Sequence, residues 1–224
     1  MNGQPSGSPL VKVADYVIQY LADYGIDKIF LVYGAANGHL VDAFTRVKNT
    51  EYVAVLHEQA GGFAAEGYAK IKGKPGVMIA TSGPGGHNLV TPIANCFYDS
   101  VPCLFITGQV STKFQRRSPD VRQIGFQETD IVSIVTPITK YAFMVRRPED
   151  IRRELERALF ICQHRRPGPV LLDIPIDVQE AMIDPAALKN FDGEAAQGAY
   201  DFKTVDEQID RYLADLKKSK RPVI

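Results

Sequence analysis

His57-Glu58-Gln59-Ala60-Gly61-Gly62 opens the stretch whose reading decides the fold. A segment rich in Ala and Gly runs on through Glu66-Gly67-Tyr68-Ala69. Then come the apolar run Gly76-Val77-Met78-Ile79-Ala80-Thr81 and the turn Ser82-Gly83-Pro84-Gly85-Gly86-His87-Asn88. Tyr52 to Leu56 reads as a strand stopping at His57-Glu58, Ala60 to Ile71 as a helix of small residues, and Val77 to Thr81 as the next strand. One strand is thus closed by a carboxylate and the following one by a Gly-rich turn. In a parallel sheet both points lie at the carboxyl edge, where open α/β sheets take their ligands. Gly61, Gly62 and Gly67 weaken the intervening helix and point to close packing against a neighbour.

The same alternation extends in both directions. Upstream, Val13, Val17, Tyr20, Leu21 and Tyr24 recur at helical spacing and Gly25 ends the helix. The strand Ile29-Phe30-Leu31-Val32 follows, then a turn from Gly34 to Gly38 and a helix starting at Leu40, Val41 and Phe44. Downstream, Leu89 to Tyr98 reads as a helix, Pro102 to Thr107 as a strand and Ser111 to Asp120 as a surface loop. Glu128 to Val135 reads as a short helix and Ile138 to Val145 as a strand. Pro148 opens a helix with Ile151, Leu155, Ala158, Leu159 and Cys162 on its inner face. Pro169 to Ile174 is the sixth strand.

This pattern predicts a doubly wound α/β fold over residues 10–179, with a mostly parallel six-stranded sheet and helices on both faces. Residues 1–9, polar and rich in Gly, Ser and Pro, read as a disordered leader. Residues 180–204 are weakly patterned and read as a linker. Residues 205–224 hold a helix, Val205 to Lys217, and the start of a strand. That is too little to bury a core, so they read as the start of a truncated central domain. The alternative is a C-terminal arm packed on the first domain.

Composition narrows the function classes. The chain has 224 residues, 45% of them hydrophobic, and 26 basic residues balance 26 acidic ones. No basic stripe suggests nucleic acid and no polybasic segment suggests a membrane surface. No apolar run reaches the roughly 18 residues of a membrane span. Cys96, Cys103 and Cys162 are scattered through apolar patterns, which predicts buried free thiols and fits a reducing cytoplasm.

Glu58 and the turn carry the candidate chemistry. A carboxyl between an apolar strand and a helix of Ala and Gly is poorly solvated, and can hydrogen-bond a ring nitrogen of a bound heterocycle. A strand-end glutamate pairing with a nearby Lys or Arg is the plainer alternative. Ser82 to Asn88 offers backbone N–H groups and little bulk, so a flat ring or a phosphate can approach. It is neither a Walker loop nor the dinucleotide fingerprint, whose spacings differ. His57 and His87 have no third ligand at suitable spacing, so no metal site is expected of them.

Taken together, the motifs resemble the pyrimidine-binding domain of thiamine-diphosphate enzymes, most closely the acetolactate synthases. The matching residues are His57-Glu58, Glu66-Gly67-Tyr68-Ala69, Ser82-Gly83-Pro84-Gly85 with Asn88, and Asp99-Ser100-Val101-Pro102. Further on come Thr107-Gly108-Gln109-Val110, Phe126-Gln127-Glu128, Thr139-Lys140, Arg166-Pro167-Gly168-Pro169-Val170 and Asp173-Ile174-Pro175-Ile176-Asp177-Val178. They occur in order from about Val11 to Gln179.

The resemblance implies a transferase or lyase that decarboxylates a 2-keto acid such as pyruvate and joins the remainder to a second carbonyl. Glu58 would hydrogen-bond the cofactor pyrimidine, with Pro84, Asn88, Gly34 and Ala35 beside it, and Gln127 would stand near the reacting centre. Phe126, His87 and Asn37 would border the substrate pocket, although Phe126 taken alone reads as core and Lys140 as a solvated charge. Asp173 and Asp177 would fix a turn.

Thiamine diphosphate is the implied cofactor. Mg²⁺ ligands are expected in a separate C-terminal domain, since no Gly-Asp-Gly occurs here, and any FAD site in a central one. In that family a site forms between chains, which implies a homodimer or homotetramer, and the 224 residues alone would be inactive. Keto-sugar carboligases, 2-keto acid decarboxylases and a stand-alone non-catalytic domain are the alternatives. Two departures bear on the substrate: Gly34-Ala35-Ala36-Asn37-Gly38 stands where the family has Gly-x-Pro-Gly-Gly, and His87 where it has a small residue or threonine.

Overall fold

The computed structural model describes residues 9–193 and 202–222, so nearly all of the expected leader and residues 194–201 of the expected linker lie outside it. The chain divides between Phe191 and Asp192 into two units. In the first, the elements are β1 (Val11–Lys12), α1 (Val13–Asp23), β2 (Lys28–Leu31), α2 (Gly38–Ala43), β3 (Glu51–Ala54), α3 (Glu58–Lys72), β4 (Gly76–Ala80), α4 (Pro84–His87), α5 (Val90–Tyr98) and β5 (Cys103–Gln109). They continue with α6 (Ile131–Val135), β6 (Tyr141–Met144), α7 (Ile151–Gln163), β7 (Val170–Pro175), α8 (Ile176–Glu180) and β8 (Met182–Ile183).

Six strands form one sheet in the order β3-β2-β4-β5-β7-β6. Every neighbouring pair is parallel. β4, β5 and β7 are buried on both faces. Their side chains alternate between two cores, as a period of two requires. Val77, Ile79, Leu104, Ile106, Val170 and Leu172 pack with α1 and α7. Met78, Ala80, Cys103, Phe105 and Leu171 pack with α3 and α5. All three cysteines are buried and free. The edge strand β3 differs: all four of its residues are exposed.

Two features were not anticipated. β1 and β8 pair antiparallel, Val11 opposite Ile183 and Lys12 opposite Met182. Leu188 is also buried, so residues 182–188 belong to the first unit rather than to a linker. Lys140 is not a solvated charge. Its Nζ donates to the Ile161 carbonyl and, at 2.7 Å, to that of His164, closing the end of α7. Burial lowers its pKa below the ordinary lysine value.

The helix α3 starts where His57 caps it, the ring Nδ1 accepting from the Gln59 N–H at 3.2 Å. It ends at Gly73, whose φ of 66° is left-handed. Gly61 and Gly62 do permit close packing: a Cβ would come within 2.5 Å of Met78 at the first and 2.4 Å of Pro92 at the second. Gly67 does not, having nothing within 4 Å.

β2 has β3 on one side and β4 on the other, so the winding reverses between β2 and β4. A crevice opens above their carboxyl ends at such a switch point. The Gly34–Asn37 loop follows β2 and the Ser82–Asn88 turn follows β4. The second unit contains one described helix, α9 (Phe202–Lys218), on which Val205, Ile209, Tyr212 and Leu213 are exposed. No helix among the described residues is long and apolar enough to cross a membrane.

Candidate functional site

Glu58 is the first residue of α3, a position that favours a carboxylate, and is 9% exposed. Asn88 Nδ2 donates to its Oε2 at 2.8 Å. Glu58 forms no ion pair among the described residues, so the plainer reading of a Lys or Arg partner is not the arrangement found. Oε1 lies beside Gly85, where an added Cβ would sit 3.4 Å from it. A fixed carboxylate with one open oxygen beside a residue without a side chain suits a flat nitrogen heterocycle.

Thr81 joins the pieces. Its Oγ1 accepts from the Ala36 N–H at 3.2 Å. A Cβ at Gly34 would come within 2.5 Å of the threonine Cβ, and one at Gly85 within 2.8 Å of its Cγ2. The loop after β2 and the turn after β4 therefore lock onto one side chain. The sequence reading missed Thr81; a strand-final threonine before a Gly-rich turn was the available signal. Asn37 is fully buried within this lock. Its Oδ1 accepts from the Gly34 N–H at 2.8 Å, and its Nδ2 donates to the Val32 carbonyl at 2.9 Å. Both polar ends are used inside the loop, so Asn37 shapes the loop, and it is not among the residues that line the cleft described next.

On the other side of the turn lies a cleft of about 270 Å³, lined mainly by Ala35, Val110, Phe114, Phe126 and Ile176, with Ser82, Gln109, Ser111 and Gln127 as polar members. Ala35, Phe126 and Gln127 are thus brought together. Phe126 is 81% exposed, not core. Gln127 has φ 57°, a left-handed value unusual for a residue with a side chain. It lies against Gly83, where a Cβ would come within 2.8 Å of the glutamine Cβ.

Glu58, Gly85 and Asn88 form a separate group, and neither Glu58 nor Asn88 lines the cleft. Pro84 is exposed at the first position of α4, a place proline favours. His87 faces a third space, about 320 Å³, with Arg116, Arg122 and Ser133.

Beneath this edge Asp173 is wholly buried and joined to Thr107 and Gln109. Burial pushes its pKa up to about 7, against the lowering effect of those two hydrogen bonds. Asp177 accepts from the Thr112 hydroxyl at 2.6 Å and from its N–H, fastening the start of the loop after β5.

Residues 11–134 match the family model described as the thiamine pyrophosphate enzyme, N-terminal TPP binding domain. The chain is 38% identical over 217 residues to the chloroplastic acetolactate synthase of Arabidopsis thaliana, covering 95% of this chain and 31% of that protein. It is 39% identical over 223 residues to the acetolactate synthase large subunit of Lactococcus lactis, covering 98% and 36%. Against the large subunit of Corynebacterium glutamicum it is 44% identical over 171 residues, covering 76% and 26%. The chain therefore spans about a third of the length of such relatives. With the matched segment running from β1 through the Glu58 group and the Gly-rich turn to α6, the chain belongs to the thiamine pyrophosphate enzyme family, as its N-terminal cofactor-binding domain.

Proposed function

We propose that this chain forms the pyrimidine side of the cofactor site in a carboligase that decarboxylates 2-keto acids, similar in activity to acetolactate synthase. The observation that carries the reading is the Glu58 carboxylate, fixed through Oε2 by Asn88 and open at Oε1 beside Gly85. When bound, thiamine diphosphate supplies the electron sink for decarboxylation. Glu58 holds and returns a proton at a pyrimidine nitrogen. Asn88 keeps the carboxylate aimed, and Gly85 keeps the space before it empty. The Gly34–Ala35 loop and Pro84 border the ring. Gln127 and Phe126 stand at the wall where the keto acid reacts, and His87 adds a polar group further out.

The remaining two thirds expected from the relatives would bring the Mg²⁺ ligands for the diphosphate and any FAD site. A partner chain would complete the site in a cytoplasmic homodimer or homotetramer. Pyruvate is the proposed donor. The cleft is walled mainly by Ala35, Val110, Phe114, Phe126 and Ile176, and of its polar members Gln109 already spends its amide on the protein, which favours a short aliphatic keto acid as acceptor over a keto-sugar, whose hydroxyls need more partners.

The test is a turnover assay of the full-length protein with thiamine diphosphate, Mg²⁺ and pyruvate, following carbon dioxide and the coupled product with pyruvate or a keto-sugar as acceptor. Decarboxylation with coupling to the aliphatic acceptor is expected. Coupling only to the sugar would replace the acceptor assignment, and no decarboxylation would refute the reading.

A further inference from the structure

Asp173 is fully buried at the carboxyl end of β7 and does not line the cleft. Its Oδ1 accepts from the Thr107 hydroxyl at 2.7 Å and its Oδ2 from Gln109 Nε2 at 3.0 Å. The same Nε2 donates to the Thr129 carbonyl at 2.6 Å, and Gln109 Oε1 accepts from the Val110 N–H at 3.0 Å. Gln109 is 1% exposed and uses both amide hydrogens and its oxygen. Among neutral side chains only an amide provides two such donors and an acceptor on one planar group. A carboxylate at 109 would lose both donors and face a second acid.

Thr129 lies two residues after Gln127, whose left-handed backbone must be held from outside to persist. Gly83 holds one side of Gln127 by letting its backbone lie close. Glu128 ties the segment to the preceding loop, its carboxylate accepting the N–H groups of Arg116 and Ile124. Gln109, the last residue of β5, connects the segment to the sheet.

We propose that Gln109, braced by Asp173, is a positioning residue: it clamps the Thr129 carbonyl and so fixes Gln127 at the wall of the cleft. What Gln127 then does rests on the proposed function; the clamp does not.

The test uses the full-length protein and two readouts. One is limited trypsin digestion within residues 111–125, which offers Lys113, Arg116, Arg117 and Arg122. The other is steady-state turnover of pyruvate with thiamine diphosphate and Mg²⁺. Gln109→Leu is expected to speed cleavage in that loop about tenfold and to lower kcat about tenfold, with cofactor affinity held within about threefold. Gln109→Asn, too short to span both partners, shifts both readouts the same way and serves if the leucine variant does not fold. Asp173→Asn still offers an oxygen to Gln109 and a partner to Thr107, so the loop keeps its wild-type protection.

Unchanged cleavage and kcat in both Gln109 variants would overturn the proposal, as would loop exposure in Asp173→Asn equal to that in Gln109→Leu. A wild-type protein that decarboxylates nothing, while Gln109→Leu still exposes the loop, refutes the proposed function and supports the clamp.

Discussion

At the residue scale the two oxygens of Glu58 stand in different surroundings, Oε2 accepting from Asn88 and Oε1 lying beside Gly85, and the proposed proton transfer rests on the second. Glu58→Gln keeps the size of the side chain but cannot take and return a proton. Turnover of the full-length protein is expected to fall by about 10²–10⁴, the usual contribution of general acid–base catalysis. Wild-type-like turnover would remove Glu58 from the mechanism. Asn88→Ala removes the donor to Oε2 and leaves the acid less firmly aimed. A loss of about tenfold in kcat is expected from one lost charge-assisted bond, smaller than for Glu58→Gln and measurable in the same assay.

Asp173 makes a separate, thermodynamic prediction. Its folded pKa of about 7 stands above the ordinary carboxyl value of 3.8. The folded state then holds this proton more tightly than the unfolded state does. The contribution to stability is complete below about pH 4 and is lost as pH rises through about 7, a swing of at most about 4 kcal/mol. Asp173→Asn has no such proton. In urea melts at pH 4, 6 and 8 the variant should gain on the wild type as pH rises. A difference independent of pH would contradict the burial argument.

At the scale of elements, α3 carries Glu58 at its start and packs along its length against α5, and its glycines can be separated by experiment. Gly62→Ala would push a methyl into the Pro92 ring, 2.4 Å away at closest, and a ring cannot rotate aside. Overpacking of this kind costs about 1–3 kcal/mol, more than the helix-propensity gain of about 1 kcal/mol. Gly67→Ala meets nothing within 4 Å, so only the gain remains. Thermal melts should move down for the first and up for the second.

The six strands of the sheet were legible because β4, β5 and β7 are apolar on both faces and bounded by Gly or Pro. β1 and β8 were not, since two residues carry no period and their pairing joins opposite ends of the domain. The short helix was expected from Glu128, but it starts at Ile131, because Asp130 caps it and Glu128 turns back onto the loop. Glu58 and the turn were visible as a motif. The left-handed Gln127, the Thr81 lock and the Gln109 clamp were not, because each depends on contacts between distant elements rather than on local propensity.

For the whole molecule, the reversal of winding between β2 and β4 explains why two loops far apart in sequence meet on Thr81. Among the described residues no group of three or more His, Cys, Asp or Glu side chains is placed to hold the Mg²⁺ that would carry a diphosphate. The 224-residue chain alone is expected to bind thiamine diphosphate and Mg²⁺ much more weakly than the full-length protein. Titration calorimetry measures this, and micromolar binding by the chain alone would contradict it.

The outermost strand, Glu51–Ala54, has a further consequence for handling the protein. One row of its peptide groups bonds to β2, and the opposite row faces away from the sheet with Tyr52 and Val53 uncovered beside it. Such a border can recruit an extended segment of another molecule. Concentrated preparations of the chain should therefore self-associate reversibly, and Val53→Lys should suppress this by placing repelling charges along the seam. Sedimentation velocity across a dilution series would report it as a shift toward the monomer coefficient.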